Sequence, residues 1–348
     1  MLDPTKTKIA KFIIHRVGNK LREEGVVESR STHVLTADLQ LALLNYFLPP
    51  LQNAQMFRFT HSSDTHLNEM FAFSKQLFKD TDAFIPTSIK SLKHLYSTCD
   101  HPKTKAGEIS FAMFDDVLYQ GKPTQAFGIF KSERKDTFLT VTDAKQQILF
   151  ELTHGIPTKR FDKGCLILNS EAQDGFRVLV VDTNTDETRF WHERFLGVAP
   201  VLDERFLTES SFKVCKQFVE SQFGRDEEKA DQLVTLQKAI HYFTQNENYD
   251  ADAFADEVFA ETKMVADFKK FTKANEKKTG VSVPNNFVIS SPAVKKAKRE
   301  LKRNIRLDTK MEVKLNFNDP DSQAQFVERG YDGNKKMFFY KLFFNKEV

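Results

Sequence analysis

Few groupings in this chain have the residue types and spacing that chemistry requires. Glu312-Val313-Lys314 has the E-x-K form of a metal-dependent nuclease strand, in which a carboxylate holds Mg²⁺ and a lysine steadies the reacting phosphate. Strand alternation alone puts both residues on one face, and the nearest upstream acid, Asp308, is too close in sequence to supply a second ligand across a sheet. His192-Glu193 opens an H-E-x-x-H zinc helix, but Leu196 stands where the second histidine belongs. Gly121-Lys122 lacks the earlier glycine of a phosphate-binding loop, because Asp116 occupies that position. His61 and His66 flank Asp64 at a spacing that does not stack two imidazoles on one helical face, which reads as a polar loop. Cys165 lies in an apolar strand pattern, where a small buried thiol is the plainer reading than a nucleophile. These motifs give no catalytic residue, no metal ligand and no cofactor, so a non-enzymatic protein is expected.

The strongest grouping is one of charge. Ser291 suits an N-cap and Pro292 the first helical position, where a missing N–H costs nothing. From Val294 to Arg306, helical spacing gathers Val294, Ala297, Leu301 and Ile305 into an apolar arc of about 80°. Lys295, Lys296, Lys298, Arg299, Lys302, Arg303 and Arg306 fill an adjacent arc of about 160° with no acid among them. Docked by its stripe, such a helix presents seven cations to a polyanion such as the DNA backbone. A solvated helix face accounts for a charge run equally simply. A second basic group, Lys131, Arg134 and Lys135 at a hairpin with Lys159 and Arg160 in a nearby connection, is a secondary candidate for DNA contact. Hairpin tips are also charged for solubility alone.

The elements that must position these residues follow from periodicity. Ile9 to Val17 reads as a strand, Ala37 to Leu48 as a helix stopped by Pro49-Pro50, and Leu67 to Lys79 and Ser88 to Tyr96 as helices separated at Pro86. Six strands are expected between Ile109 and Asp182, joined by links too short for crossover helices, hence a largely antiparallel sheet. Helical spacing returns from Asp203 to Asn275. Met311, Val313, Leu315 and Phe317 alternate with polar residues as in a half-buried strand. A helix over 319–329, a turn and a last strand close the chain.

The expected fold is α+β, with a largely antiparallel central sheet and flanking helices. The expected domains are 1–200 around the sheet, 201–280 as an acidic helical segment, and 281–348 as a basic helix with two strands. Net charge is only +3, but it is divided unevenly. From Glu276 to Val348 there are 16 Lys+Arg against 9 Asp+Glu, and from Asp203 to Asn275 there are 10 against 15. Such asymmetry suits a polyanion-binding segment beside an acidic one that faces a protein partner or shields the chain itself. The 34 phenylalanines fall mostly at periodic core positions and read as packing material. Three widely spaced cysteines suggest neither a disulfide framework nor a zinc knuckle and favour a reducing cytoplasm. No signal peptide and no membrane span is read.

Several strings carry a resemblance in their order and spacing. They are His15-Arg16-Val17-Gly18-Asn19-Lys20, Tyr46-Phe47-Leu48, and His101-Pro102-Lys103-Thr104-Lys105-Ala106-Gly107-Glu108. Gly128-Ile129-Phe130-Lys131-Ser132 with Lys135-Asp136-Thr137-Phe138 follows, and then Asp162-Lys163-Gly164-Cys165-Leu166-Ile167. Ala293-Val294-Lys295-Lys296 with Ile305-Arg306-Leu307-Asp308 completes the set. Together they resemble the bacterial 37-kilodalton nucleoid-associated protein family over nearly the whole chain. The resemblance implies a cytoplasmic protein found with the chromosome, with double-stranded DNA as its partner and no catalytic residue. An adaptor that recruits another DNA-processing protein through the acidic helices is the alternative, and the oligomeric state is left open, a homodimer included.

Overall fold

The computed structural model describes residues 2–3, 5–52, 54–144, 147–183, 190–223, 229–279, 281–301, 304–306, 310–314, 327–333 and 335–343. It divides into two compact units, Met1–Val201 and Leu202–Val348. The fold is α+β.

The first unit opens with β1 (Leu2–Asp3), β2 (Lys8–Val17) and β3 (Val26–Val27), then α1 (Ala37–Phe47), α2 (Pro49–Gln52) and β4 (Gln55–Phe59). Two helices follow, α3 (Glu69–Lys79) and α4 (Phe84–Thr98), before the strands β5 (Gly107–Tyr119), β6 (Lys122–Ser132), β7 (Asp136–Ala144), β8 (Gln147–Gly155), β9 (Lys163–Leu168) and β10 (Arg177–Asp182). A π-helical segment, Phe190–Leu196, and β11 (Val198–Pro200) end it. The main sheet runs β11-β4-β10-β9-β6-β5-β2-β3, with β1 beside β5, and its pairings are antiparallel.

Alternation along β5 and β6 serves a sheet covered on both faces. Phe111, Met113, Phe127 and Ile129 enter one core with residues of α3, α4 and the π-helical segment, among them Met70, Leu92 and Trp191. Ala112, Phe114, Ala126 and Phe130 enter the other, where Tyr46 and Phe47 of α1 and Leu51 of α2 cover them. Phe47 stacks on Phe130 with ring centroids 4.0 Å apart. Gly128 makes room for this layer, since a Cβ there would stand 2.6 Å from the rings of both Phe114 and Phe130. Caps fix the helix starts: the Thr36 hydroxyl accepts from the Leu39 N–H, and the Asn68 side chain accepts from the Phe71 N–H at 2.9 Å. Pro86 does not separate two elements. It lies inside the first turn of α4, where the missing N–H has no intrahelical partner to lose.

The second unit contains α5 (Glu204–Gln222), α6 (Lys229–Gln245), β12 (Asn248–Asp250), α7 (Ala251–Phe259), α8 (Thr262–Thr279), β13 (Asn286–Val288) and α9 (Ser291–Glu300). Four further strands pair locally: β14 (Asn304–Arg306) with β15 (Glu312–Lys314), and β16 (Val327–Asp332) with β17 (Met337–Leu342). Its core joins Cys215, Phe218, Phe243, Phe254 and Phe268 to Ile289 and Val294. The start of α9 is therefore packed among the acidic helices, and position 280, expected as a boundary, falls inside this unit. Residues 327–329, expected to be helical, are in β16, while 315–326 lie outside the described residues.

Candidate nucleic-acid interface

Helix α9 is anchored by its apolar side. Ala293 and Val294 are buried, and Leu301 packs against the same core. Ser290, not Ser291, occupies the N-cap, and Pro292 sits in the first turn. The helix ends at Glu300. Leu301 leaves helical geometry at φ −68°, ψ 110°, and the chain turns into β14, where Ile305 pairs with Val313 and Arg306 with Glu312.

This ending corrects the seven-cation helix face. Lys295, Lys296, Lys298 and Arg299 remain on α9, Arg306 belongs to a strand, and Lys302 and Arg303 lie outside the described residues. Lys296 is committed elsewhere: its Nζ donates to Glu209 Oε2 of α5 at 2.8 Å, and Arg205 Nε donates to Oε1 of the same carboxylate at 3.0 Å. Lys295 and Arg299 are exposed, and Lys298 is half-buried. No ion pair forms at these three among the described residues, and their i, i+3, i+4 spacing sets them on one helical face. Lys298 and Arg299 also stand in the last turn, where cations complement the helix dipole.

The second basic group is dispersed by the fold. Lys131 is fully buried and is not a surface cation. Its Nζ donates to Glu133 Oε1 at 2.8 Å and to the Lys105 carbonyl at 2.7 Å. Arg134 pairs with Asp162 at 3.2 Å and Lys135 with Glu108 at 2.7 Å, both half exposed, while Lys159 and Arg160 are exposed. Lys131 belongs instead to an ionic cluster that the sequence reading missed. On the neighbouring strand, directly opposite Lys131, Lys163 is also buried, and its Nζ donates to both carboxylate oxygens of Asp182 at 2.9 and 3.1 Å. The only outward signal was a lysine inside each of two otherwise apolar strands, Phe127-Gly128-Ile129-Phe130-Lys131 and Lys163-Gly164-Cys165-Leu166-Ile167.

The remaining motifs have structural employment. Asp64 caps a short 3₁₀ segment by accepting from the His66 N–H at 2.8 Å, and His61 Nδ1 accepts from the Ser63 N–H at 3.2 Å. Leu196 is buried in the core of the first unit. Burial pushes the Cys99 thiol up to about 11 and raises Cys165 and Cys215 further, away from thiolate chemistry. In the backbone register of β14 and β15, Glu312 pairs with Arg306 and Lys314 with Asn304. A cleft of about 620 Å³ in the first unit is lined by His61, Glu69, His94 and Arg194 among others. Two of its polar groups are engaged: His94 is held between the Glu69 carboxylate and the Phe195 carbonyl, and Arg194 forms a two-pronged pair with Asp100. Among the described residues no group of three His, Cys, Asp or Glu could hold a metal ion, and no helix is long and apolar enough to cross a membrane.

No significant match is found among curated proteins. The family model described as nucleoid-associated protein YejK matches residues 13–336, nearly the whole chain, and the chain belongs to that family.

Proposed function

We propose that this nucleoid-associated protein binds double-stranded DNA directly in the bacterial cytoplasm, without catalysis and with little sequence preference, through phosphate contacts. The observation that supports this most is the face formed by Lys295, Lys298 and Arg299, cations without an acid partner among the described residues, on a helix anchored in a packed core. Rigid anchoring holds the three charges in place before an anion arrives. The excess of cations from Glu276 to Val348 adds to the attraction at longer range. The face on α9 carries Lys and Arg but no Asn or Gln to read base edges, which favours backbone contact over sequence recognition.

The test is a duplex-binding titration at several salt concentrations, comparing the wild type with a Lys295→Gln/Lys298→Gln/Arg299→Gln variant. Three phosphate contacts release counterions worth a slope of roughly −2.7 in log affinity against log salt. The variant is expected to lose that part of the slope while keeping its thermal midpoint, since none of the three side chains is in the core. A folded variant with an unchanged slope overturns the assignment of α9 and favours an adaptor that meets another DNA-processing protein.

A further inference from the structure

The hairpin β7–β8 leaves the main sheet between two strands that pair with each other, β6 and β9, and returns to it. Its base is tied shut. The Asp162 N–H donates to the Lys131 carbonyl at 3.0 Å, the Glu133 N–H donates to Asp162 Oδ2 at 2.7 Å, and Arg134 pairs with Asp162 Oδ1 at 3.2 Å. The buried pairs Lys131–Glu133 and Lys163–Asp182 stand immediately beneath. What projects beyond this clamp is a ribbon whose residues are almost all exposed.

Register sorts the ribbon into two unlike faces. One carries Thr140, Thr142, Glu151 and Thr153 beside Phe138 and Leu149. The other carries Leu139 opposite Leu152, Val141 opposite Phe150, and Ile148 opposite Asp143, with the five apolar side chains between 63% and 73% exposed. A lone two-stranded ribbon is marginal in water, and both outer edges of this one are unpaired. Leucine, isoleucine, valine and phenylalanine left bare at this density mark a surface that is covered in use.

We propose that this arm is a self-association element, in which the Leu139/Val141/Ile148/Phe150/Leu152 faces of two copies of the chain pack against each other about a two-fold axis. Area favours a second copy. Taking roughly 150 Å² for each bare side chain, the face exposes on the order of 500 Å² of apolar surface. Two such faces bury on the order of 1,000 Å², where specific interfaces begin. Asp143 lies near the tip, opposite Ile148, and His154 lies near the base, opposite Thr137. Two ribbons stacked with their directions opposed lay the tip of each over the base of the other, which brings the apolar side chains of both copies together along the length of the arm. The clamp at the base holds the arm ready, so little ordering cost falls on association.

Sedimentation velocity on the full chain tests this. The wild type is expected to sediment at twice the monomer mass at micromolar concentration. Phe150→Glu is expected to halve that mass and to keep a cooperative melt, because the side chain is exposed in the single copy. Thr140→Lys, on the opposite face, is expected to keep the dimer. A monomeric wild type overturns the proposal, as does a dimer that survives Phe150→Glu combined with Leu152→Glu. Equal loss of the dimer in Thr140→Lys overturns the choice of face. A monomer that binds phosphatidylglycerol vesicles through the arm overturns it in favour of a membrane, and a monomer destabilised by Phe150→Glu in favour of cover by another part of the same chain.

Discussion

His15 shows how a polar residue can be structural in this fold. It is buried on β2, its Nδ1 accepts from the Ser29 N–H at 2.9 Å, and its Nε2 stands 2.9 Å from Ser88 Oγ, which itself donates to the Ile85 carbonyl. An accepting Nδ1 requires the neutral imidazole with its proton on Nε2. Burial holds the group below its ordinary value, with the Glu28 carboxylate pulling weakly the other way. A base whose folded pKa lies below its unfolded value, about 6.5, binds fewer protons when folded. Its contribution to stability is therefore complete above about pH 6.5 and is lost as pH falls through that value toward the folded pKa. The thermal midpoint of the wild type is expected to drop between about pH 7.5 and 5.5 more steeply than that of His15→Gln. The variant should be less stable at the upper pH but flatter across the range. Parallel profiles measured by circular dichroism would remove His15 from this role.

At the scale of elements, the clamp beneath the β7–β8 arm holds two buried ion pairs, Lys131–Glu133 and Lys163–Asp182. Lys131 and Glu133 have side chains 0% and 1% exposed, so Lys131→Met leaves a buried carboxylate without its lysine. Breaking such a pair from one side costs about 3–5 kcal/mol, or about 10 °C in a unit of this size. Lys131→Met/Glu133→Gln should recover part of the loss, and equal midpoints for the two variants in a thermal melt would show that the pair does not hold the clamp. Beyond a lysine inside each of two apolar strands, the sequence carries no sign of this cluster. Lys131-Ser132-Glu133-Arg134-Lys135 looks like a charged hairpin tip, and only the return strand through Asp162 and Lys163 closes over the first of those lysines. Elements with simple periods were read well. The strands from Gly107 to Asp182 are found with boundaries shifted by a few residues, and the antiparallel sheet follows from their short links. The basic helix ends at Glu300, six residues short of Arg306, although Val294, Ala297, Leu301 and Ile305 keep helical spacing. Pairing of Ile305 with Val313 across β14 and β15 overrides that local pattern. Of the candidate residues on α9, Lys295 and Arg299 are exposed and Lys298 is half-buried, whereas the engagement of Lys296 with Glu209 could not be seen without the packing of α9 on α5.

At the scale of the whole molecule, the two units carry different assets. Residues Met1–Val201 enclose two cores on either side of one sheet and bear the apolar arm, while Leu202–Val348 enclose a separate core and bear α9. Each unit has its own apolar interior, the condition for folding alone, so fragments 1–201 and 202–348 are each expected to melt cooperatively. With the two proposals above, self-association should follow the first fragment and the salt-dependent DNA slope the second. A dimer that carries one DNA-binding face per copy makes the second binding event intramolecular, which raises affinity without any new contact. On a duplex long enough for both copies, the full chain should therefore bind at least about tenfold more tightly than fragment 202–348, and Phe150→Glu should abolish that surplus. On a duplex too short to hold two faces, the wild type, the variant and the fragment should converge. Equal affinities on the long duplex, in a wild type shown to be dimeric, would mean that the two DNA faces of a dimer cannot reach one stretch of DNA together, and the arm would then serve assembly alone.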